Sequence, residues 1–181
     1  MAAKQTIYCD TRQQKGKHEH KMQWWADHGV HTRVKTLKTG DYATDLSNVL
    51  VDTKRNVAEV AQNINGRQHA RFKRECQRAQ ADGQRLYVLI ENTNGYKSIT
   101  DVCAWENDHC VHCKLRKQHI CEPRNPHGKC MKHRTVKPIQ GPRLAKAMAT
   151  MEERYGVRFK FCRPQDAALT ICELLGVDYD N

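Results

Sequence analysis

Two carboxylates and a lysine stand close together in the first third of the chain: Asp41, then Asp52, and two residues on, Lys54. In an extended strand residues two apart share a face, so Asp52 and Lys54 project together while Val51 and Thr53 point the other way. Asp41 lies earlier, in Gly40-Asp41-Tyr42, and a hairpin between the two segments would bring a second carboxylate to the same spot. Mg2+ prefers hard oxygen ligands and usually takes one or two carboxylates, waters and a substrate phosphate. Such an ion activates a bound water and neutralises charge on a phosphodiester as it is attacked. A lysine beside it can orient that water or offset charge in the transition state. Any Asp-x-Lys in a strand could instead be a surface ion pair. What sets these residues apart is that Asp41 follows a glycine at a strand start, and that Asp52 and Asp10 each close an apolar run, so three carboxylates could converge at one end of a sheet.

A second cluster lies later in the chain. Residues 103–133 hold five cysteines and five histidines in 31 positions. Cys110 and Cys113 form a close pair, followed by Cys121 and Cys130, and Zn2+ in structural sites takes four tetrahedral nitrogen or sulfur ligands. These four thiols are the expected set, with His109, His112, His119, His127, His133 and Cys103 as competitors. A four-thiolate shell leaves no open position for water, so the expected role is structural. The stretch has little apolar material to order it, and a metal would supply the missing energy. Its basic flank, Lys114, Arg116, Lys117, Lys129, Lys132 and Arg134, is a candidate grip for DNA.

The elements that must position these groups can be read from periodicity. Residues 6–10 form a short strand ending on Asp10, and residues 19–27 a helix stopped near Gly29. Residues 30–37 alternate as a half-exposed strand, with Val30, Thr32, Val34 and Thr36 on one face. Asp45-Leu46-Ser47-Asn48 supplies a hairpin turn into the strand that carries Asp52. Helical spacing then covers Val57 to Ile64 and a long basic stretch at 67–81, where Arg67, Arg71, Lys73, Arg74 and Arg78 are candidates for DNA-backbone contact. Residues 86–90 are almost wholly apolar, as expected of a central strand covered on both faces. A helix at about 142–155, a strand at 157–162 and a helix at about 164–175 complete the chain. Strands and helices interleave, which predicts an α/β fold with a mixed sheet. The expectation is one domain over residues 1–181, interrupted by a Cys/His-rich zinc module at 103–134. Cys9, Cys76, Cys162 and Cys172 fall within predicted elements as small core residues, and Trp24, Trp25 and Trp105 are expected to pack rather than to stack on bases.

The composition limits the partners. Thirty-one Lys and Arg against 20 Asp and Glu give a net charge of +11. That surplus favours a polyanion, because each phosphate contact releases condensed counterions. No signal-peptide core opens the chain, and no stretch approaches the roughly 20 apolar residues that cross a bilayer. A soluble, intracellular (cytoplasmic) protein is expected, in which clustered cysteines bind metal rather than form disulfides. The size and charge would suit a phage or mobile-element protein.

Three segments together resemble a known family. Cys9-Asp10-Thr11-Arg12, Gly40-Asp41-Tyr42 and Val51-Asp52-Thr53-Lys54-Arg55 look like the successive motifs of XPF-type nuclease domains, a branch of the PD-(D/E)xK, restriction-endonuclease-like superfamily. The similarity continues through the basic helix around Arg71-Phe72-Lys73-Arg74-Glu75, the apolar strand to Glu91-Asn92, and the stretch from Ala147 to Cys162. It implies a restriction-endonuclease-like sheet flanked by helices and a metal-dependent DNA endonuclease selective for branched or flap structures. Asp41 and Asp52 would be Mg2+ (or Mn2+) ligands, joined by the main-chain carbonyl of Thr53. Lys54 would be the catalytic lysine, Asp10 an auxiliary acid, and Arg12 and Arg55 phosphate contacts. Four departures stand out. Gln13 replaces Glu, Asp52 replaces Glu, Thr53 replaces Arg, and Glu59 sits one position beyond the usual acidic residue. Family members often carry a helix-hairpin-helix module, for which no room remains; the insert is a candidate substitute, and a homodimer through the nuclease domain is open. The alternative reading is a catalytically inactive nucleic-acid-binding protein that keeps the fold and the zinc module.

Overall fold

The structure, a computed structural model, describes residues 5–13, 16, 18–125, 127–132 and 137–180. Residues 1–4, His133 and Arg134 therefore lie outside the described residues. Six strands form one mixed sheet in the order β2-β1-β3-β4-β5-β6. They span β1 Thr6–Asp10, β2 His31–Lys35, β3 Tyr42–Ala43, β4 Val49–Lys54, β5 Arg85–Glu91 and β6 Arg158–Cys162. β3 is antiparallel to both β1 and β4, while the pairs β1–β2, β4–β5 and β5–β6 are parallel. This is the mixed α/β architecture that the sequence predicts.

Helices cover both faces. On one lie α2 (Val57–Asn65), α3 (His69–Ala81) and α6 (Gly141–Tyr155), packed around Val88, Ile90, Phe72, Leu144 and Met148. On the other lie α1 (Glu19–Asp27) and α7 (Ala167–Leu175), around Val51, Leu89, Tyr42 and Ile171. Trp25 is fully buried, and its indole N–H donates to the Ala168 carbonyl at 3.1 Å, which ties α1 to α7. β5 is buried on both sides, Leu86, Val88, Leu89 and Ile90 all being 1% exposed or less. That double burial explains why its sequence does not alternate.

β2 departs from its predicted half-buried pattern. It is an edge strand, and Val34 is 65% exposed. Its alternation of β-branched and charged residues reflects strand propensity, not a buried face.

Two short helices, α4 (Asp108–Val111) and α5 (Lys114–Lys117), lie in the Cys/His-rich stretch. Val102 and Trp105 just before them belong to the main core. At the far end the Gly141 N–H donates to the Trp105 carbonyl at 3.0 Å. A Cβ on Gly141 would stand 2.3 Å from the Val102 carbonyl oxygen, so only glycine fits at this junction. The arm from 106 to 140 thus leaves and re-enters the fold at one point.

Candidate active site

Register places the carboxylates. Tyr42 pairs with Val51, Asp41 directly before it lies close enough to Asp52 to act on its charge, and Asp52 and Lys54 share one face of β4, paired with Val88 and Ile90. Gly40 makes the approach feasible: its φ is +76°, and a Cβ there would press to 3.1 Å from the Val51 carbonyl oxygen. The Asp41 backbone bridges two strands, its N–H donating to Val51 O at 2.8 Å and its carbonyl accepting from Asp10 N at 2.9 Å.

Asp41, Asp52 and Lys54 line one open cavity of about 630 Å³, together with Arg12, Arg55 and Arg71. Lys54 Nζ lies 2.5 Å from Asp52 Oδ2, and both side chains are buried. Among the described residues no donor in hydrogen-bond alignment reaches that oxygen, so the contact with Lys54 is a charge pair. Burial pushes the Asp52 carboxyl up to about 7; Lys54 opposes the rise, and the nearby Asp41 and Glu75 carboxylates add to it. Burial alone would lower the Lys54 ammonium, but the Asp52 carboxylate outweighs it and holds Lys54 above its ordinary range. The result is a buried cation beside two adjacent acids, one of them reluctant to ionise.

Two of the departures from the family motifs converge on Asp41. Thr53 donates to Asp41 Oδ2 twice, from its backbone N–H at 2.8 Å and its hydroxyl at 2.6 Å. Gln13 donates its side-chain amide to the Asp41 carbonyl at 3.0 Å, which an ionised glutamate could not do. Glu59 is also engaged. Asn56 caps α2 by accepting from the Glu59 N–H at 2.9 Å, and Glu59 reaches back to the Arg55 N–H at 2.8 Å, in the manner of a capping box.

Asp10 is not among the residues lining the cavity. Its Oδ1 accepts from the Leu37 N–H at 2.9 Å, and its Oδ2 pairs with Arg12 Nε at 2.7 Å. Burial would raise its carboxyl, but the Arg12 and Leu37 bonds outweigh it and hold it below the ordinary range. Asp10 therefore orients Arg12. Arg74 is exposed on α3 and does not reach the cavity, whereas Arg71 does.

Three further residues that the sequence reading did not single out line the same cavity: His20, Lys21 and Glu91. Lys21, in the middle of α1, is 1% exposed, and its Nζ lies 2.5 Å from Glu91 Oε1 at the end of β5. His20 approaches the other Glu91 oxygen at 3.8 Å. Glu91 closes a buried apolar strand as Asp10 closes β1, and that was the cue available for it. Lys21 has none, because a lysine next to Met22 on a short helix reads as a solvent-facing residue.

In the arm, Cys110, Cys113, Cys121 and Cys130 all line one small cavity of about 20 Å³, and of the competing histidines it includes only His109 among the described residues. Burial raises the Cys110 thiol, and the other three thiols add to the rise against a bond from Gln140. That bond runs from Gln140 Nε2 to Cys110 Sγ at 3.2 Å. The thiols ring the cavity without closing on it: among the described residues no three His, Cys, Asp or Glu side chains form a ready ligand group. Arg116 of the basic flank is committed to Glu106 at 2.6 Å. Cys9, Cys76 and Cys172 are buried in the core, as are Trp25 and Trp105.

The model of the ERCC4 domain matches residues 9–174. Among solved structures, XPF from Aeropyrum pernix is similar with a TM-score of 0.56 and 17% identity over 94% of this chain and 63% of that one. The structure of XPF from Aeropyrum pernix in complex with DNA gives the same TM-score and identity over 95% of this chain and 64% of that one. The chain thus spans a little under two thirds of the length of these structures. Among curated proteins no significant match is found.

Proposed function

The chain belongs to the ERCC4 domain family, and on that premise we propose that it is a Mg2+-dependent endonuclease hydrolysing DNA phosphodiesters, with a preference for branched or flap structures. The observation that carries this reading is the meeting of Asp41, Asp52 and Lys54 in one open cavity rimmed by Arg12, Arg55 and Arg71. The likeness to a structure of XPF in complex with DNA supports DNA as the substrate. The site's chemistry fits a hard divalent cation. Asp41 and Asp52 are adjacent acids, and Asp52 Oδ2 is buried without an aligned donor. These two carboxylates would hold the ion, with the Thr53 carbonyl beside them. When bound, it supplies an activated water and charge neutralisation at the scissile phosphate.

The chain's own groups do the rest. Thr53 and Gln13 fix Asp41 so that its carboxylate needs no reorganisation. Lys54, kept cationic by Asp52, offsets charge that builds on the phosphate under attack. Arg12, steered by Asp10, and Arg55, whose backbone is anchored by Glu59, hold the neighbouring phosphates. Arg71 extends the same rim toward α3.

In the arm, Cys110, Cys113, Cys121 and Cys130 suit a structural Zn2+. They are four soft ligands around a cavity the size of a single ion, with a Gln140 N–H already placed on one sulfur. All nine cysteines are free, which suits a reducing, intracellular compartment.

The test is cleavage of labelled single-stranded, duplex, flap and four-way DNA by the full chain in Mg2+ and in EDTA. Cleavage in Mg2+ alone, fastest on a branched substrate, is the expected result. Binding of these DNAs with no cleavage in Mg2+ or Mn2+ would replace this reading with that of a non-catalytic binding protein.

A further inference from the structure

We infer that the arm between 106 and 140 forms one wall of a DNA channel that continues from the active site across α2 and the start of α3. This rests on the nuclease reading for its ligand, but on separate residues for its evidence. A groove of about 990 Å³ runs between the arm and the core. Its core wall includes Ala58 and Gln62 of α2 and Arg67 of the α2–α3 link. The arm wall includes His109, Lys132 and Lys137.

The groove and the active-site cavity are lined by neighbouring residues of the same two stretches of chain. Arg55, just before α2, and Glu59 in its first turn line the active-site cavity, and Ala58 and Gln62 on the same helix line the groove. Arg71 lines the active site, and Arg67, four residues earlier, lines the groove. A row of cations, Arg55, Arg71, Arg67 and Lys132, therefore leads from the scissile position outward.

Charge complementarity selects the occupant. Arg67 and Lys132 are exposed and enter none of the described ion pairs, so both are open to phosphates, while among the described residues Asp108 is the one acid that lines the groove. Lys137 is tied to the Asn125 carbonyl and shapes the wall. Among the described residues no Phe, Tyr or Trp lines the groove, so these residues offer phosphate contacts and no stacking platform. Such a surface binds through the backbone, without reading sequence, and with a steep salt dependence. Of the arm's basic flank it selects Lys132, which lines the groove, over Arg116, which already pairs with Glu106.

The experiment measures binding of a labelled flap DNA to the full chain in EDTA over a salt series, so that cleavage plays no part in the readout. The double variant Arg67→Gln, Lys132→Gln should bind about tenfold more weakly, with its log–log salt slope reduced by about 1.4–1.8, the loss of two phosphate contacts. The charge-matched variant Arg154→Gln, Lys160→Gln, whose positions line neither cavity, should match wild type in both. An unchanged slope in the groove variant, or an equal loss in the control variant, overturns the channel. Tighter binding of an RNA of the same shape overturns its assignment to DNA. If the groove variant behaves as expected but wild type cuts no DNA in Mg2+, the nuclease reading fails and the channel stands. If wild type cuts DNA and the groove variant binds normally, the nuclease reading stands and the channel fails.

Discussion

The β3–β4 hairpin and the arm at 106–140 solve the problem of holding functional groups in opposite ways. In the hairpin the sheet does the holding. Tyr42 and Val51 face each other fully buried, and the Asp41 backbone is held next to them by its bonds to Val51 and Asp10. In the arm, two four-residue helices are joined by turns, Ile120 and Met131 are 55% and 45% exposed, and the few buried residues include the thiols Cys110 and Cys113. The hairpin gains its precision from hydrophobic burial, which needs no ligand. The arm lacks that resource, and its order depends on its closed base and on what the thiols bind. Chemistry that tolerates little misplacement sits on the first, and a broad electrostatic grip sits on the second.

The sharpest way to break this contrast is to remove the cation from the hairpin. Lys54→Met should lower cleavage by about 10²–10³-fold through lost charge stabilisation. It should also destabilise the fold, by about 3–5 kcal/mol if Asp52 stays ionised, since its buried partner is gone. Cleavage rates and thermal melts in EDTA read the two effects separately.

A change in the arm should have the opposite signature. Cys121→Ser should abolish a one-to-one zinc content measured by elemental analysis and expose the arm to protease. The melting temperature of the core should move by only a few degrees. A zinc-free wild-type protein with a protease-resistant arm would contradict the comparison.

Within the hairpin, Thr53→Val removes the hydroxyl bond to Asp41 while keeping the backbone one. The loss of about 1.5–3 kcal/mol for one hydrogen bond to a charged group corresponds to a roughly ten- to hundredfold slower reaction, and Thr53→Ser should restore most of it. Equal rates for all three proteins would leave Thr53 without a positioning role.

The smallest effect concerns pH. Asp52 is raised to about 7, so between the ordinary carboxylate range and that value the folded protein keeps a proton that the unfolded chain has released. Metal-free stability should therefore fall as pH rises across that window. Mg2+ must displace the same proton, so its stabilising shift in melting temperature should be larger at pH 8 than at pH 6. Equal shifts at both would mean that Asp52 is not a ligand.

Much of this was legible in the sequence because the signals were local. β1 and α1 begin and end where apolar spacing and Gly29 place them, Asp52 and Lys54 share a face by the two-residue period of strands, and the hairpin turn brings Asp41 to the same cavity. What could not be read depended on distant partners. The role of Asp10 turns on Leu37, 27 residues away, whose N–H takes one of its oxygens. Lys21 is buried only because Glu91, 70 residues away, neutralises it. β2 looked half-buried because its β-branched residues alternate, and nothing in its composition says that it lies at the edge of the sheet. Gln13 and Thr53 read as losses from a motif until both were seen to bond to Asp41.

The central claim, that Asp41, Asp52 and Lys54 form the catalytic centre of a metal-dependent nuclease, is tested most directly with Asp52→Ala on the best-cut DNA, with cleavage and binding measured in the same Mg2+ mixtures. The account predicts binding close to that of wild type and cleavage reduced by at least about 10³-fold. Cleavage by Asp52→Ala at the wild-type rate would place the chemistry elsewhere in the molecule.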